Sequence, residues 1–160
     1  MAEASRFALD LKAFAEKVPQ SVKKTVNLVS VQLLERIVLR TPVGNPDLWK
    51  VNIERKAKGL PNYPPGYVGG RLRGNWNVGV NQVVMAVRPV DKLGGETIQR
   101  GQRVLAVRQD NDADIYITNS LPYAIPVEYG WSTQSPTGMV RVTVTEFQTL
   151  VNNAVAANDY

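Results

Sequence analysis

The chain contains no cysteine and no histidine. These two absences remove thiol nucleophiles, disulfide frameworks, zinc sites of the Cys/His type and the usual general base near neutral pH. What remains for chemistry is carboxylate, Lys, Tyr, Ser and Thr, so neither an enzyme nor a resident metal or cofactor is expected. Long hydrophobic runs are also missing, and no stretch approaches the roughly 18 apolar residues of a membrane span. The N-terminal "MAEASRFALDLKAF" carries acids early and lacks a basic stretch followed by an apolar core. It does not read as a signal peptide, so synthesis in the cytoplasm and no membrane partner are expected.

What is present suits one domain. The 160 residues carry 19 Lys plus Arg against 14 Asp plus Glu, a net charge of +5. A pI near 9.6 favours contact with a polyanion, but a soluble surface that happens to be basic explains it equally.

The apolar spacing predicts helices at both ends. Phe7, Leu9, Leu11, Phe14 and Val18 fit a helix that stops at Pro19. A second helix is expected from Pro19, with Val22, Val26, Val29, Leu33, Leu34, Ile37 and Val38 as its apolar stripe. Thr41-Pro42 ends it, because a residue before proline is pushed out of the helical region. From 43 to 70 the chain is rich in proline and glycine, with Trp49, Tyr63 and Tyr67 among basic residues. A structureless arm this long inside a domain is uncommon, and its aromatic residues are expected to dock either on the parent domain or on a neighbour.

Strands follow. "LRGNWNVGV" alternates Leu72, Gly74, Trp76, Val78 and Val80 against a polar face. Asn81-Gln82 predicts a turn into "VVMAVRPV", giving an antiparallel hairpin. A helix over Ile98, Val104, Leu105 and Val107 has a weak point at Gly101, and a polar loop runs from Gln109 to Asp114. The next strand puts Ile115 and Ile117 on one face and Tyr116 and Thr118 on the other. After Gly138, the residues Val140, Val144, Phe147, Val151, Ala154 and Val155 keep helical spacing. The resulting fold class is α+β: a mostly antiparallel sheet packed by N-terminal and C-terminal helices, in a single domain over 1–160 with an arm at 43–70.

Three stretches resemble chemical motifs. Gly69-Gly70 with Arg71 and Arg73 has the composition of a phosphate loop but lacks its Gly-Lys-Ser/Thr ending, and a turn that needs positive φ accounts for the glycines. Asp110, Asp112 and Asp114 alternate like a calcium loop, but without its glycine and final glutamate the segment reads as solvated. Glu128 and Glu146 would form an acid–base pair only if the fold brought them together; Glu128 also reads as the partner of an arginine or as an intersubunit contact.

In order, "TPVG", "GGRLRGNW" and "IYITNSLPYAIPVEYGWSTQSPTGMVRVTVTEF" with a terminal helix resemble the tail-component family encoded in the head-to-tail joining gene clusters of tailed bacteriophages. In that family a "TPVDTG" element leads to "GxLRxSW", a strand ends in "N..PYA..VEYG", and "PxGMVR" opens the last helix. The resemblance covers 41 to 147. This chain departs from the compact pattern by inserting Gly44 to Val68, and Asn75 stands where Ser is also common, a change expected to matter little.

The resemblance implies a non-enzymatic tail-completion or neck protein of the virion. It implies a ring, hexameric as first expectation and dodecameric as second, between the portal-connector or head-closure assembly and the tail terminator or tail tube. Trp49, Tyr63, Tyr67, Tyr123, Glu128, Tyr129 and Trp131 become expected contacts with a neighbouring subunit or partner. Arg71 and Arg73 are expected to face a partner or a channel in transient, non-specific contact with genomic DNA. The alternative is a basic nucleic-acid-binding module outside any ring, carried by the +5 charge and the scattered aromatic residues.

Overall fold

One helix, α1 (Ala2–Arg40), runs through Pro19, where the spacing predicts a break. An interior proline removes a single hydrogen bond and costs about 3 kcal/mol. Good helix formers on both sides, Ala15, Glu16 and Lys17 before and Gln20 after, let the helix continue past it. The computed structural model describes residues 2–109 and 113–158, with side chains from Gln20 onward. The apolar residues expected to line the first helix, and Asp110 to Asp112 of the calcium-like run, lie outside the described groups.

The buried face of α1 differs from the expected stripe. Val22 is exposed, while Ser21, Thr25 and Ser30 occupy buried positions alongside Val29. Two of these hydroxyls are paired: Ser30 Oγ donates to the Val26 carbonyl at 2.7 Å, and Thr25 Oγ1 accepts from Asn158 Nδ2 at 2.9 Å. From Leu34 onward the stripe is as expected, and Leu34, Ile37 and Val38 are core residues.

After α1 come a 3₁₀ turn (Pro46–Leu48), α2 (Lys50–Ala57), α3 (Arg71–Gly74), β1 (Trp76–Val80), α4 (Gly95–Ala106), β2 (Ile115–Asn119), α5 (Ala124–Pro126), α6 (Val140–Val144) and α7 (Phe147–Ala157). The fold is α+β. Its strands, β1 and β2, form an antiparallel ribbon with Trp76 opposite Asn119 and Val80 opposite Ile115. Trp76, Val78, Ile115 and Ile117 turn one face of the ribbon onto α1 and α4. Helix α4 crosses α1 closely because Gly101 has no side chain: a Cβ there would lie 2.2 Å from Leu34 Cδ2. The expected weak point is thus a packing site.

The expected hairpin partner of β1, residues 83 to 90, forms no strand and does not join the ribbon; β1 pairs with β2 instead. Side chains on the polar face of the ribbon hold it. Asn75 donates to Arg88 O at 3.1 Å and accepts from Arg88 N at 2.7 Å. Asn77 donates to Ala86 O at 2.9 Å. From β2 and just beyond it, Thr118 Oγ1 donates to Val84 O and Ser120 Oγ to Ala86 O. Asn75 also donates to Arg71 O at 2.7 Å, so its difference from Ser is not minor: a single hydroxyl could not hold all three groups.

The C-terminal segment is two helices rather than one. Thr143, Leu150 and Ala154 are buried, whereas Val144, Phe147 and Val155 are exposed, against the expected face. The turn between α6 and α7 is set by Glu146, which Arg36 binds at 2.8 Å and Arg40 at 2.5 Å. Leu150 and Ala154 then meet Val29 in a second apolar cluster.

Candidate functional site

Thr41 closes α1. It is fully buried, its Oγ1 donates to Ile37 O at 2.7 Å and accepts from Trp76 Nε1 at 2.7 Å. Arg73 completes the closure: its guanidinium donates to the carbonyls of Thr41, Leu39 and Lys92. A cation at a helix C-terminus satisfies its last carbonyls and opposes the negative end of its dipole. Arg73, expected to face a partner or a channel, is instead turned onto α1; burial pushes its pKa down, with the Asp91 charge acting against that.

The residues between these two elements form the arm, which is structured rather than structureless. Asn45 Oδ1 accepts from Asp47 N at 3.1 Å and starts the 3₁₀ turn. Asn52, 1% exposed, holds the arm together: its amide donates to Pro46 O and Tyr63 O, each at 2.9 Å, and its Oδ1 accepts from Tyr63 N at 2.7 Å. Trp49 and Tyr67 pack edge to face at 4.8 Å between centroids. The aromatic residues of the arm thus dock on the arm itself.

On the body side, Asn119 Nδ2 donates to Leu72 O at 2.9 Å and joins the end of β2 to α3. This sets the start of the segment that carries Tyr123. Further on, Gly130 at φ +92° bends the chain and presents Trp131. Between arm and body lies a cleft of about 390 Å³ whose lining includes Trp49, Tyr67, Arg71, Tyr123 and Trp131, with Ser132, Thr133 and Gln134 at one side. Trp131 is 81% exposed. No Asp or Glu lines the cleft, and Arg71, exposed, makes no side-chain hydrogen bond or ion pair among the described residues. Burial pushes the Tyr123 hydroxyl up, partly offset by the Arg71 charge. It therefore stays a neutral donor over the physiological range.

The structure thus gathers Trp49, Tyr67, Tyr123, Trp131 and Arg71 in one place. Tyr63 lies elsewhere on the arm, with the Arg55 guanidinium 6.0 Å from its ring centroid. Tyr129 stacks under Arg141 at 4.9 Å. Glu128 is a helix cap: its carboxylate accepts from the backbone N–H of Met139, Val140 and Arg141 at 2.7 to 2.9 Å. Desolvation would raise its pKa, but those N–H groups and the Arg141 side chain together hold it below the usual value. Gly138, at φ +87°, is needed beneath it, since a Cβ would meet Glu128 Oε1 at 2.5 Å. Of the two readings left open for Glu128, the arginine partner is present, with Arg141 Nε at 3.4 Å. Glu146 stands beyond the opposite end of α6, so the two carboxylates are not brought together.

Asn52 did not stand out in the sequence, and Asn75 stood out only as a departure expected to matter little. Thr41 lay in a motif as a helix stop, and only its spacing to an indole-bearing strand hints at a hydrogen bond. Chemically the cleft offers ring faces, hydroxyls and one guanidinium, which is the make-up of a binding surface. Among the described residues no helix is long and apolar enough to cross a membrane. Comparison with protein-family models, curated proteins and solved structures finds no match to this chain.

Proposed function

We propose that the chain is a structural virion protein of a tailed bacteriophage, one subunit of a ring in the neck that joins the portal or connector assembly to the tail tube and leaves a passage for DNA. The observation that carries this reading is the convergence of the resembling motifs. "TPVG" meets "GGRLRGNW" through the Thr41–Trp76 and Thr41–Arg73 hydrogen bonds. "GGRLRGNW" meets the third stretch through Asn119 and Leu72. Within that stretch, "VEYG" meets "GMVR" through the Glu128 cap. Three short motifs far apart in the chain thus have one physical reason to occur together.

The same motifs line the body side of the cleft, and Trp49 and Tyr67 of the arm complete it. Ring contacts are heterologous, one patch meeting a different patch on the next copy, and an arm beside an aromatic cleft suits that geometry. Six copies are the first expectation and twelve the second, with head-closure and tail-terminator or tube proteins as neighbours. Arg71 remains the candidate for transient contact with DNA.

The test is the mass of the purified protein alone and after mixing with tail tubes, by native mass spectrometry with negative-stain imaging. A six- or twelve-fold ring, or a cap on tube ends, is expected. A persistent monomer that ignores tubes and binds DNA with affinity falling steeply in salt would overturn the reading in favour of a free nucleic-acid-binding module.

A further inference from the structure

We infer that residues 45 to 68 are a preassembled lever that turns as one body about the neck formed by Gly44 and Gly69. Three independent observations support it. First, among the described residues every hydrogen bond made by 45 to 68 closes within the arm: Asn52 to Pro46 and Tyr63, Arg55 to Pro61 at 2.8 Å, Asn62 to Asp47 at 2.7 Å. None of them crosses to the body, so rotation breaks none.

Second, the two chain passes that join arm and body touch each other. A Cβ on Gly69 would lie 2.4 Å from the Gly44 carbonyl oxygen, and one on Gly44 would lie 2.2 Å from the Tyr67 hydroxyl. Hinges are a few positions that absorb a change in φ and ψ, and glycine does so at least steric cost. Third, open space adjoins the arm and its neck. The aromatic cleft of about 390 Å³ lies between arm and body, and an adjoining hollow of about 670 Å³ lies along the neck, bounded by Val43 to Leu48, Tyr67 to Gly69, Lys92 and Gln134. Turning changes the width of the cleft between Trp49 and Trp131, which both line it.

The lever is a property of the single chain and holds whether or not the ring reading is right. The absence of native cysteine makes the test direct. Spin labels on Lys56→Cys in α2 and Thr149→Cys in α7 report the arm-to-body distance by pulsed electron resonance, and hydrogen exchange reports whether α2 is folded. The expected result is a distance distribution spread over a range comparable with the length of α2, about 12 Å, while the α2 amides stay protected. A single narrow distance would overturn the inference, because the arm would then be fixed. A broad distance with unprotected α2 amides would overturn it equally, because the arm would then be a disordered loop. Gly69→Ala should narrow or shift the distribution with α2 still protected; an unchanged distribution would remove the neck from Gly69.

Discussion

Replacing Thr41 by Val changes one hydroxyl to a methyl at nearly constant volume, at a fully buried position. The variant leaves Trp76 Nε1–H, which donates to Thr41 Oγ1 at 2.7 Å, without an acceptor in the core. Leaving a buried donor unsatisfied costs about 1–3 kcal/mol. The Thr41 carbonyl still receives Arg73, so that contact is unaffected. A loss of about 2 kcal/mol is expected, and at about 2–4 °C per kcal/mol for a chain of this size it lowers Tm by roughly 4–8 °C. Urea unfolding followed by tryptophan fluorescence and far-UV dichroism measures it. Thr41→Ser keeps the acceptor and should lose less. Trp76→Phe removes the donor, so the double variant should recover part of the Thr41→Val loss, a coupling of about 0.5–3 kcal/mol. If Thr41→Val is as stable as wild type, or if the double variant shows no coupling, the hydrogen bond does not close α1 as argued.

Three further outcomes are expected. Glu128 has a depressed folded-state pKa, so its contribution is present above its unfolded value near 4.5 and is lost as pH falls through the lower folded value. Glu128→Gln should therefore be less stable than wild type at pH 7, with the gap shrinking toward pH 3; a gap that is constant with pH in denaturant titrations refutes the cap. Gly101→Ala gains about 1 kcal/mol of helix propensity but drives a methyl to within 2.2 Å of Leu34 Cδ2 and 2.9 Å of Val78 Cγ2. Overpacking of about 1–3 kcal/mol should prevail, giving a net loss by thermal unfolding, and a net gain would show that α1 and α4 can separate freely. Trp131→Ala should change stability by no more than about 0.5 kcal/mol, because the side chain is 81% exposed. On the ring reading it should weaken assembly tenfold or more, equivalent to about 1.4 kcal/mol, as judged by native mass spectrometry; unaltered assembly would remove Trp131 from the interface.

Local signals in the sequence reported local structure well. Thr41-Pro42 ends α1, because the restriction before proline needs no tertiary partner. Alternation placed Ile115 and Ile117 opposite Tyr116 and Thr118, and the register bears this out. Pro19 is the exception, since the helix formers beside it carry α1 past the predicted break; the other failures share a cause, a distant side chain that decided the outcome. Residues 83 to 90 alternate as a strand would, yet the amides of Asn75 and Asn77 take up the backbone groups that a neighbouring strand would use. The helical spacing after Gly138 is real, but Arg36 and Arg40 fix Glu146 and so decide which face of α7 meets α1. In the site, the aromatic residues stood out by type, and four of them do meet at the cleft with Arg71. Arg73 did not announce its role, because a guanidinium in a glycine-rich loop reads the same whether it faces solvent or a helix end.

The line between the fixed and the turning parts of the molecule falls between two adjacent glycines. Gly70 sits at φ +102°, and a Cβ there would lie 2.6 Å from Lys92 Cα and N. Its carbonyl accepts from Gly74 N at 2.9 Å and Asp91 N at 3.1 Å. It therefore belongs to the body, in the same network that binds Arg73 to α1 and Trp76 to Thr41. For Gly69, one residue earlier, the atoms nearest to an added Cβ belong to Val43 and Gly44, which are part of the neck itself. The crowding of two glycines, two arginines and a tryptophan into 69–76 is accordingly a division of labour. Gly69 frees the returning arm, Gly70 lets the body begin without a side chain in the way, Arg73 and Trp76 lock that beginning onto the end of α1, and Arg71 alone is left facing the cleft. A substitution at Gly70 should act on the stability of the body, and one at Gly69 on the position of the arm.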